Sequence, residues 1–324
     1  MESERPLPPM TTGGPPAYVV GAYASLPSDP DERGRYYALL GEDASVEGAE
    51  LPFPGDLAVR DSRIRLARAL PAGWHRNTVT MIPGTMQRIG ADPRFGLASP
   101  DETGRLSAIA QLIDAREAIA DLAQLRGAND VSHIEIHTGP TGIARSDAMR
   151  RSLDQILSWD WLGTKPVIEH CDRFIEGQHP EKGFLPIEEE IELCRATGVG
   201  LTVNWGRSCV EGRDAALPAE HVRLAAEAGV LTGLMFSGAG PEPTRYGYAW
   251  IDGHLPMAPD EPTSWMDAAR VADCVRLAAP SPALAYIGAK VCVPAEADLR
   301  ERADLLAHIR TAALGAFGDS DRMF

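Results

Sequence analysis

The chain has 324 residues, 46 acidic against 31 basic, for a net charge of −15, with 44% hydrophobic and 24% charged residues. That is the make-up of a globular protein with a sizeable core, and it excludes a nucleic-acid surface, which needs a clustered excess of Lys and Arg. It also speaks against anionic membranes, and no run of about 18 uncharged apolar residues is present to span one.

The opening stretch, "MESERPLPPMTTGGPP", is acidic and then rich in Pro and Gly, with no apolar core of a signal peptide. Residues 1–15 read as a flexible arm ahead of one domain spanning 16–324. The cysteines at 171, 194, 209, 274 and 292 are odd in number, widely spaced and without C-x-x-C. A disulfide framework or zinc ribbon is not expected, and a reducing cytoplasm is the natural compartment.

Strand-forming runs and helical patterns then alternate along the chain. "AYVVGAYAS" (17–25) is followed by "DPDERGRYYALLGED", which has an acidic start, and "GAELPF" (48–53) by the weak helix "DSRIRLARAL". "NTVTMIPG" (77–84) precedes the long amphipathic "LSAIAQLIDAREAIADLAQL". "VSHIEIHTG" (131–139) leads to "SDAMRRSLDQILSWDWLG", with a Ser-Asp start signal and a terminal Gly. "KPVIEH" (165–170) leads to "PIEEEIELCRATG", which has Pro first and acids in its first turn. "GVGLTVNW" (198–205), "TGLMFSG" (232–238) and "LAYIGAKV" (284–291) are each followed by a further helical segment, the last running to "ALGAF".

Most strand starts fall roughly 30 residues apart, the length of a strand plus its crossover helix. Eight such units with no break in composition predict a single closed (β/α)8 barrel. An open doubly wound sheet would carry a G-x-G-x-x-G turn after its first strand, and "VVGAYASLP" has none. In a barrel, chemistry sits where strands end, so polar residues just past each apolar run become the candidates.

On the fourth strand Glu135 and His137 share one face by alternation. Both point into the mouth if that face lines the barrel; otherwise Glu135 makes an ordinary salt bridge to a helix. The fifth ends in Glu169, His170, Cys171 and Asp172, either a site edge or a solvated strand end with Asp172 as a cap. The sequence gives no sign of a lowered Cys171 thiol pKa, so a cysteine nucleophile is not favoured. The sixth supplies Asn204, Trp205 as sugar platform or core residue, and Arg207 for a carboxylate or phosphate. The seventh supplies Ser237 and a Gly-rich turn able to bind an anion. Lys290, in the eighth, is costly when buried unless paired or chemically used. Tyr23, Glu50 and Gln87 are further mouth candidates.

The order of elements, "GAELPF" on the second strand and "IEHCD" on the fifth resemble the xylose-isomerase-like barrel superfamily of sugar isomerases and epimerases. In sugar epimerases of that superfamily a divalent metal is held by a Glu ending strand five, an Asp on six, a His or Gln on seven and a Glu on eight. Glu169 matches the first of these. Asn204, Ser237 and Lys290 stand at the other three, and a Lys there repels a hard divalent ion.

The resemblance implies a small sugar or polyol acid as ligand, and a homodimer is compatible with such barrels. Three readings stay open. In the first, an isomerase or epimerase uses Glu169 as base with His137 or His170 as partner. Lys290, or a metal held by His137, Glu169 and His170 or Asp172, then stabilises the enediolate. In the second, Lys290 forms a Schiff base with a keto-sugar, giving aldolase or lyase chemistry. In the third, the barrel binds sugars without catalysis.

Overall fold

The structure is a computed structural model that describes residues 15–320. The proposed N-terminal arm therefore lies, but for its last residue, outside the described residues. Eight parallel strands close into a barrel in simple sequential order. They are β1 (Ala17–Val20), β2 (Val46–Pro52), β3 (Asn77–Thr80), β4 (Val131–Ile136), β5 (Lys165–Glu169), β6 (Gly200–Asn204), β7 (Leu231–Phe236) and β8 (Tyr286–Ala289). Closure is made by β1 on β8, in register from Ala17↔Tyr286 to Val20↔Ala289. The fold is a single (β/α)8 barrel, as the alternation predicts.

The surrounding helices are α1 (Pro30–Leu40), α2 (Arg60–Ala69), α3 (Ile82–Ala91), α4 (Glu102–Arg126) and α5 (Ser146–Ile156), then α6 (Ile187–Thr197), α7 (Trp205–Gly212), α8 (Leu217–Glu227), α9 (Ala268–Ala278) and α10 (Leu299–Ser320). Their ends follow local chemistry. Asp29 accepts from the Asp31 N–H and Pro30 opens α1; Asp101 accepts from the Gly104 N–H at the head of α4. At the tail of α4, Gly127 takes the left-handed conformation that a side chain resists.

Two helices differ from the sequence reading. "NTVTMIPG" leaves the sheet after Thr80 and becomes α3, with Pro83 in its first turn, where no N–H is needed. Helix α7 starts directly on β6, because the Asn204 side chain accepts from the N–H groups of Gly206 and Arg207. The first strand is also shorter than expected, ending at Val20 and passing into a short 3-10 turn at Ala22–Ala24.

Alternation along the strands divides the core in two. The larger part, including Val20, Ile134, Ile136, Ile168, Leu201, Leu234 and Ile287, packs between sheet and helices. Ala17, Val19, Met235 and Tyr286 form a small apolar plug of their own inside the barrel. Polar side chains occupy the interior above that plug. No helix among the described residues is long and apolar enough to cross a membrane, and the five cysteines are free.

Candidate active site

Glu169, the last residue of β5, is the centre of a fully buried ionic cluster at the strand ends. Its Oε2 lies 2.9 Å from His137 Nε2 and 2.6 Å from an Arg207 terminal nitrogen. Its Oε1 lies 3.3 Å from Lys290 Nζ and accepts from Asn204 Nδ2 at 3.4 Å. Lys290 Nζ also donates to Glu50 Oε1 at 2.7 Å, so the ammonium is shared between β2 and β5. Gly21 leaves room for it: a Cβ there would stand 2.3 Å from Lys290 Cβ and 2.8 Å from Glu50 Oε2.

Glu135 enters the same cluster from β4. Its Oε1 accepts from the Tyr286 hydroxyl at 2.8 Å, and that hydroxyl is 2.6 Å from Thr202 Oγ1. Carboxylate oxygens of Glu50, Glu135 and Glu169 come within 4.8 Å of one another. Crowding and burial push Glu135 and Glu169 apart in protonation. Burial, and then the charges of Glu169 and Glu50, raise the Glu135 pKa well above the usual carboxylate range, so this acid keeps its proton. Burial acts against ionisation of Glu169 too, but Arg207 and Lys290 outweigh it and hold its pKa well below that range.

The same reasoning fixes the neighbours. Burial lowers the His137 pKa despite the hydrogen bond to Glu169, leaving a neutral imidazole whose Nδ1 has no partner. Burial opposes charge on Lys290, yet Glu169 and Glu50 prevail and raise its pKa well above normal. It is an ion-paired ammonium rather than the free amine that Schiff-base chemistry starts from. Cys171 is buried and its pKa is raised well above normal, chiefly by desolvation, which keeps it a thiol.

The segment between β7 and α9 folds over this cluster. Asp252 Oδ2 meets Arg207 Nε at 3.1 Å and Lys182 Nζ at 3.0 Å, while His254 Nδ1 is 3.3 Å from Oδ1. Desolvation works against the Asp252 charge, but Lys182, His254 and Arg207 hold its pKa well below normal. Glu181, in the segment after β5, accepts from the Tyr248 hydroxyl at 2.5 Å and the Asp252 N–H at 3.1 Å. The two segments are thus tied together above the mouth. Glu50, Glu135, Glu169, Arg207 and Lys290 beneath them have no solvent exposure.

Glu135, His137, Glu169, Asn204, Arg207 and Lys290 are brought together, as are Glu50 and Tyr23, whose ring centroid is 6.0 Å from Lys290 Nζ. Ser237 supports them indirectly by donating to Asn204 Oδ1 at 2.9 Å. Other candidates lie elsewhere. Alternation turns His170 outward, where Nδ1 pairs with Glu190 at 2.6 Å and Nε2 lies 3.3 Å from Glu211. Burial disfavours its charge, but those acids push its pKa up to about 10. Asp172 accepts from the N–H groups of Glu181, Lys182 and Gly183, fastening the loop after β5 instead of facing a ligand.

Trp205 is 1% exposed and belongs to the core, so it offers no platform. Gln87 is exposed on α3. The Gly-rich turn after β7 binds no anion through Gly238, whose N–H donates to Leu255 O. Sequence reasoning missed Asp252, Lys182 and Tyr286: the first two stand in loops, and Tyr286 lies low on its strand.

The superfamily's divalent ion does not fit this donor set. Asn204 Oδ1 already accepts from Ser237, Gly206 and Arg207, the Lys290 ammonium stands between two carboxylates, and Arg207 covers a third side. The arrangement expected from His137, Glu169 and His170 or Asp172 is also excluded, because the last two point away.

Comparison with known proteins agrees with this architecture. The family model described as "Domain of unknown function (DUF4862)" matches residues 19–305. A protein of Salmonella typhimurium (strain LT2) called "Uncharacterized protein STM3670" is 34% identical over 301 residues, covering 89% of this chain and 94% of that protein. Among solved structures, a D-tagatose 3-epimerase-like protein superposes with a TM-score of 0.62 at 14% identity, covering 94% of this chain and 99% of its own. A D-psicose 3-epimerase determined in the presence of D-fructose gives 0.59 at 12% identity, with coverage of 94% and 99%. The fold is that of the xylose-isomerase-like barrels.

Proposed function

The chain belongs to the DUF4862 family, and we propose that it is a sugar isomerase or epimerase, transferring a proton next to the carbonyl of a small carbohydrate or polyol acid. One arrangement carries this reading: Glu169 and Glu135 stand in one buried cluster, where burial raises the Glu135 pKa well above the usual carboxylate range while Arg207 and Lys290, against burial, hold that of Glu169 well below it. Proton-transfer sites need such a pair, one group to take a proton and the other to give one. The likeness of the fold to a D-psicose 3-epimerase and a D-tagatose 3-epimerase-like protein supports the same class by analogy.

Glu169 takes the proton from the carbon beside the carbonyl, and the electron pair moves onto the carbonyl oxygen. Lys290 and Arg207, both fixed by carboxylates, stabilise the negative oxygen, the task a metal performs in similar barrels. Glu135 returns a proton to the intermediate, and the two acids re-exchange it within their cluster. His137 orients Glu169 through Nε2 and offers Nδ1 to a substrate hydroxyl. Substrate enters when the segment carrying Asp252 lifts from Arg207.

Incubation with aldoses, ketoses and sugar acids in deuterium oxide tests this by NMR. Deuterium should appear at the carbon next to the carbonyl, and Glu169→Gln and Glu135→Gln should each abolish it while the chain stays folded. A sugar that binds and never exchanges would favour a binding-only barrel.

A further inference from the structure

A second cluster of ionisable groups is buried on the outer side of β5, away from the mouth. His170 Nε2 lies 3.3 Å from Glu211 Oε2, and His221 Nε2 lies 3.7 Å from Glu211 Oε1. The two imidazole rings meet edge to face with centroids 4.9 Å apart. His170 is 0% exposed, Glu211 3% and His221 3%. Despite the short distance, His170 Nε2 makes no aligned hydrogen bond and is left unpartnered.

Two donors bound to one zinc ion at about 2.0–2.1 Å in a tetrahedron stand roughly 3.4 Å apart. The His170–Glu211 separation matches that edge, and Glu211 presents one oxygen to each imidazole. The remaining ring nitrogens are already committed. His170 Nδ1 pairs with Glu190 Oε2 at 2.6 Å, and His221 Nδ1 with Ser208 Oγ at 2.9 Å. Outer partners of this kind fix the tautomer and aim the Nε2 lone pairs inward in metal sites. We propose that His170, Glu211 and His221 form a binding site for a divalent transition ion, zinc by its donor set, separate from the barrel mouth.

The polar groups around it are compatible. Glu211 also accepts from the Arg173 N–H at 2.8 Å and has Arg173 Nε at 3.3 Å, from a side chain 47% exposed that can swing away. A metal binding there would displace any proton carried on the ligating imidazole nitrogens. The ligands come from the end of β5, from α7 and from α8, and the Glu190 partner from α6. An ion there fastens the strand end that carries Glu169 to three helices.

The test uses the full chain without a polyhistidine tag. Elemental analysis after dialysis should find about one zinc ion per chain. Glu211→Gln and His221→Ala should lose it, while Glu50→Gln keeps it. Cobalt loaded into the wild-type chain should show the strong visible bands of a tetrahedral site, a readout independent of how the variants fold. A wild-type chain that carries no transition metal and takes up neither zinc nor cobalt overturns the proposal. So does an ion retained by His221→Ala or lost from Glu50→Gln, since it would then belong to the mouth.

Discussion

The Lys290 ammonium stands 3.3 Å from Glu169 Oε1, and Glu50 holds its other side at 2.7 Å. The ammonium is thereby fixed between two buried carboxylates. Its worth depends on pairing, because breaking a buried ion pair leaves the partner's charge uncompensated.

Lys290→Met should therefore cost about 3–5 kcal/mol in urea unfolding, the usual penalty for one lost partner of a buried pair. Adding Glu50→Gln to it should recover part of that loss, giving a favourable coupling between the two sites. Strict additivity would show that Lys290 and Glu50 are not an interacting pair.

The raised pKa of Glu135 makes a prediction about pH. A carboxyl whose folded pKa lies above its unfolded value binds more protons in the native state, so its contribution to stability falls as pH rises. The loss begins near the unfolded value of about 4.3 and continues up to the folded one. Glu135→Gln keeps a neutral, hydrogen-bonding side chain and removes the titration. Its stability relative to wild type should improve steadily from acid to neutral pH, measured by denaturant titration at several pH values. A constant difference would mean that Glu135 is ionised in the native protein.

Much of this site is legible in the sequence because a barrel turns position into direction. Glu169 and Lys290 stand at the ends of apolar runs, and alternation places Glu135 and His137 on one face. The same alternation sends His170 outward, but sequence alone could not choose which face of "IEHCD" looks in, since polar residues occupy both. Asp172 was hidden differently: its partners are backbone N–H groups about ten residues on, in a loop with no periodic signal. Asp252 and Lys182 meet only when two long segments cross above the mouth. The helix α7 signal was present in Asn204, a good cap, but read as a binding residue.

The contact of Asp252 with Arg207 and Lys182 closes the mouth, so its removal should loosen that cover first. In Asp252→Ala, amide hydrogen exchange across 240–256 should accelerate while β4, β5 and β8 keep their protection. Unchanged exchange in that segment would show that other contacts, such as Tyr248 on Glu181, suffice to hold it.

Gly21 allows the placement of Lys290 to be altered without touching a charge. At Gly21 the backbone dihedrals (φ −75°, ψ 58°) include no positive φ, so an added methyl acts mainly through space. That methyl would lie 2.3 Å from Lys290 Cβ and 2.8 Å from Glu50 Oε2, contacts that real structures do not tolerate. Gly21→Ala must push Lys290, Glu50 or β1 aside, at a cost of about 1–3 kcal/mol for overpacking. Gly34→Ala is the control: it lies within α1, its methyl meets nothing within 4 Å, and it should gain about 0.5–1 kcal/mol. Because the proposed proton transfer depends on the geometry around Glu169, deuterium exchange into substrate should fall at least tenfold in Gly21→Ala, under conditions where the variant is still folded. Normal exchange in a destabilised Gly21→Ala would mean that the position of Lys290 matters to folding and not to chemistry.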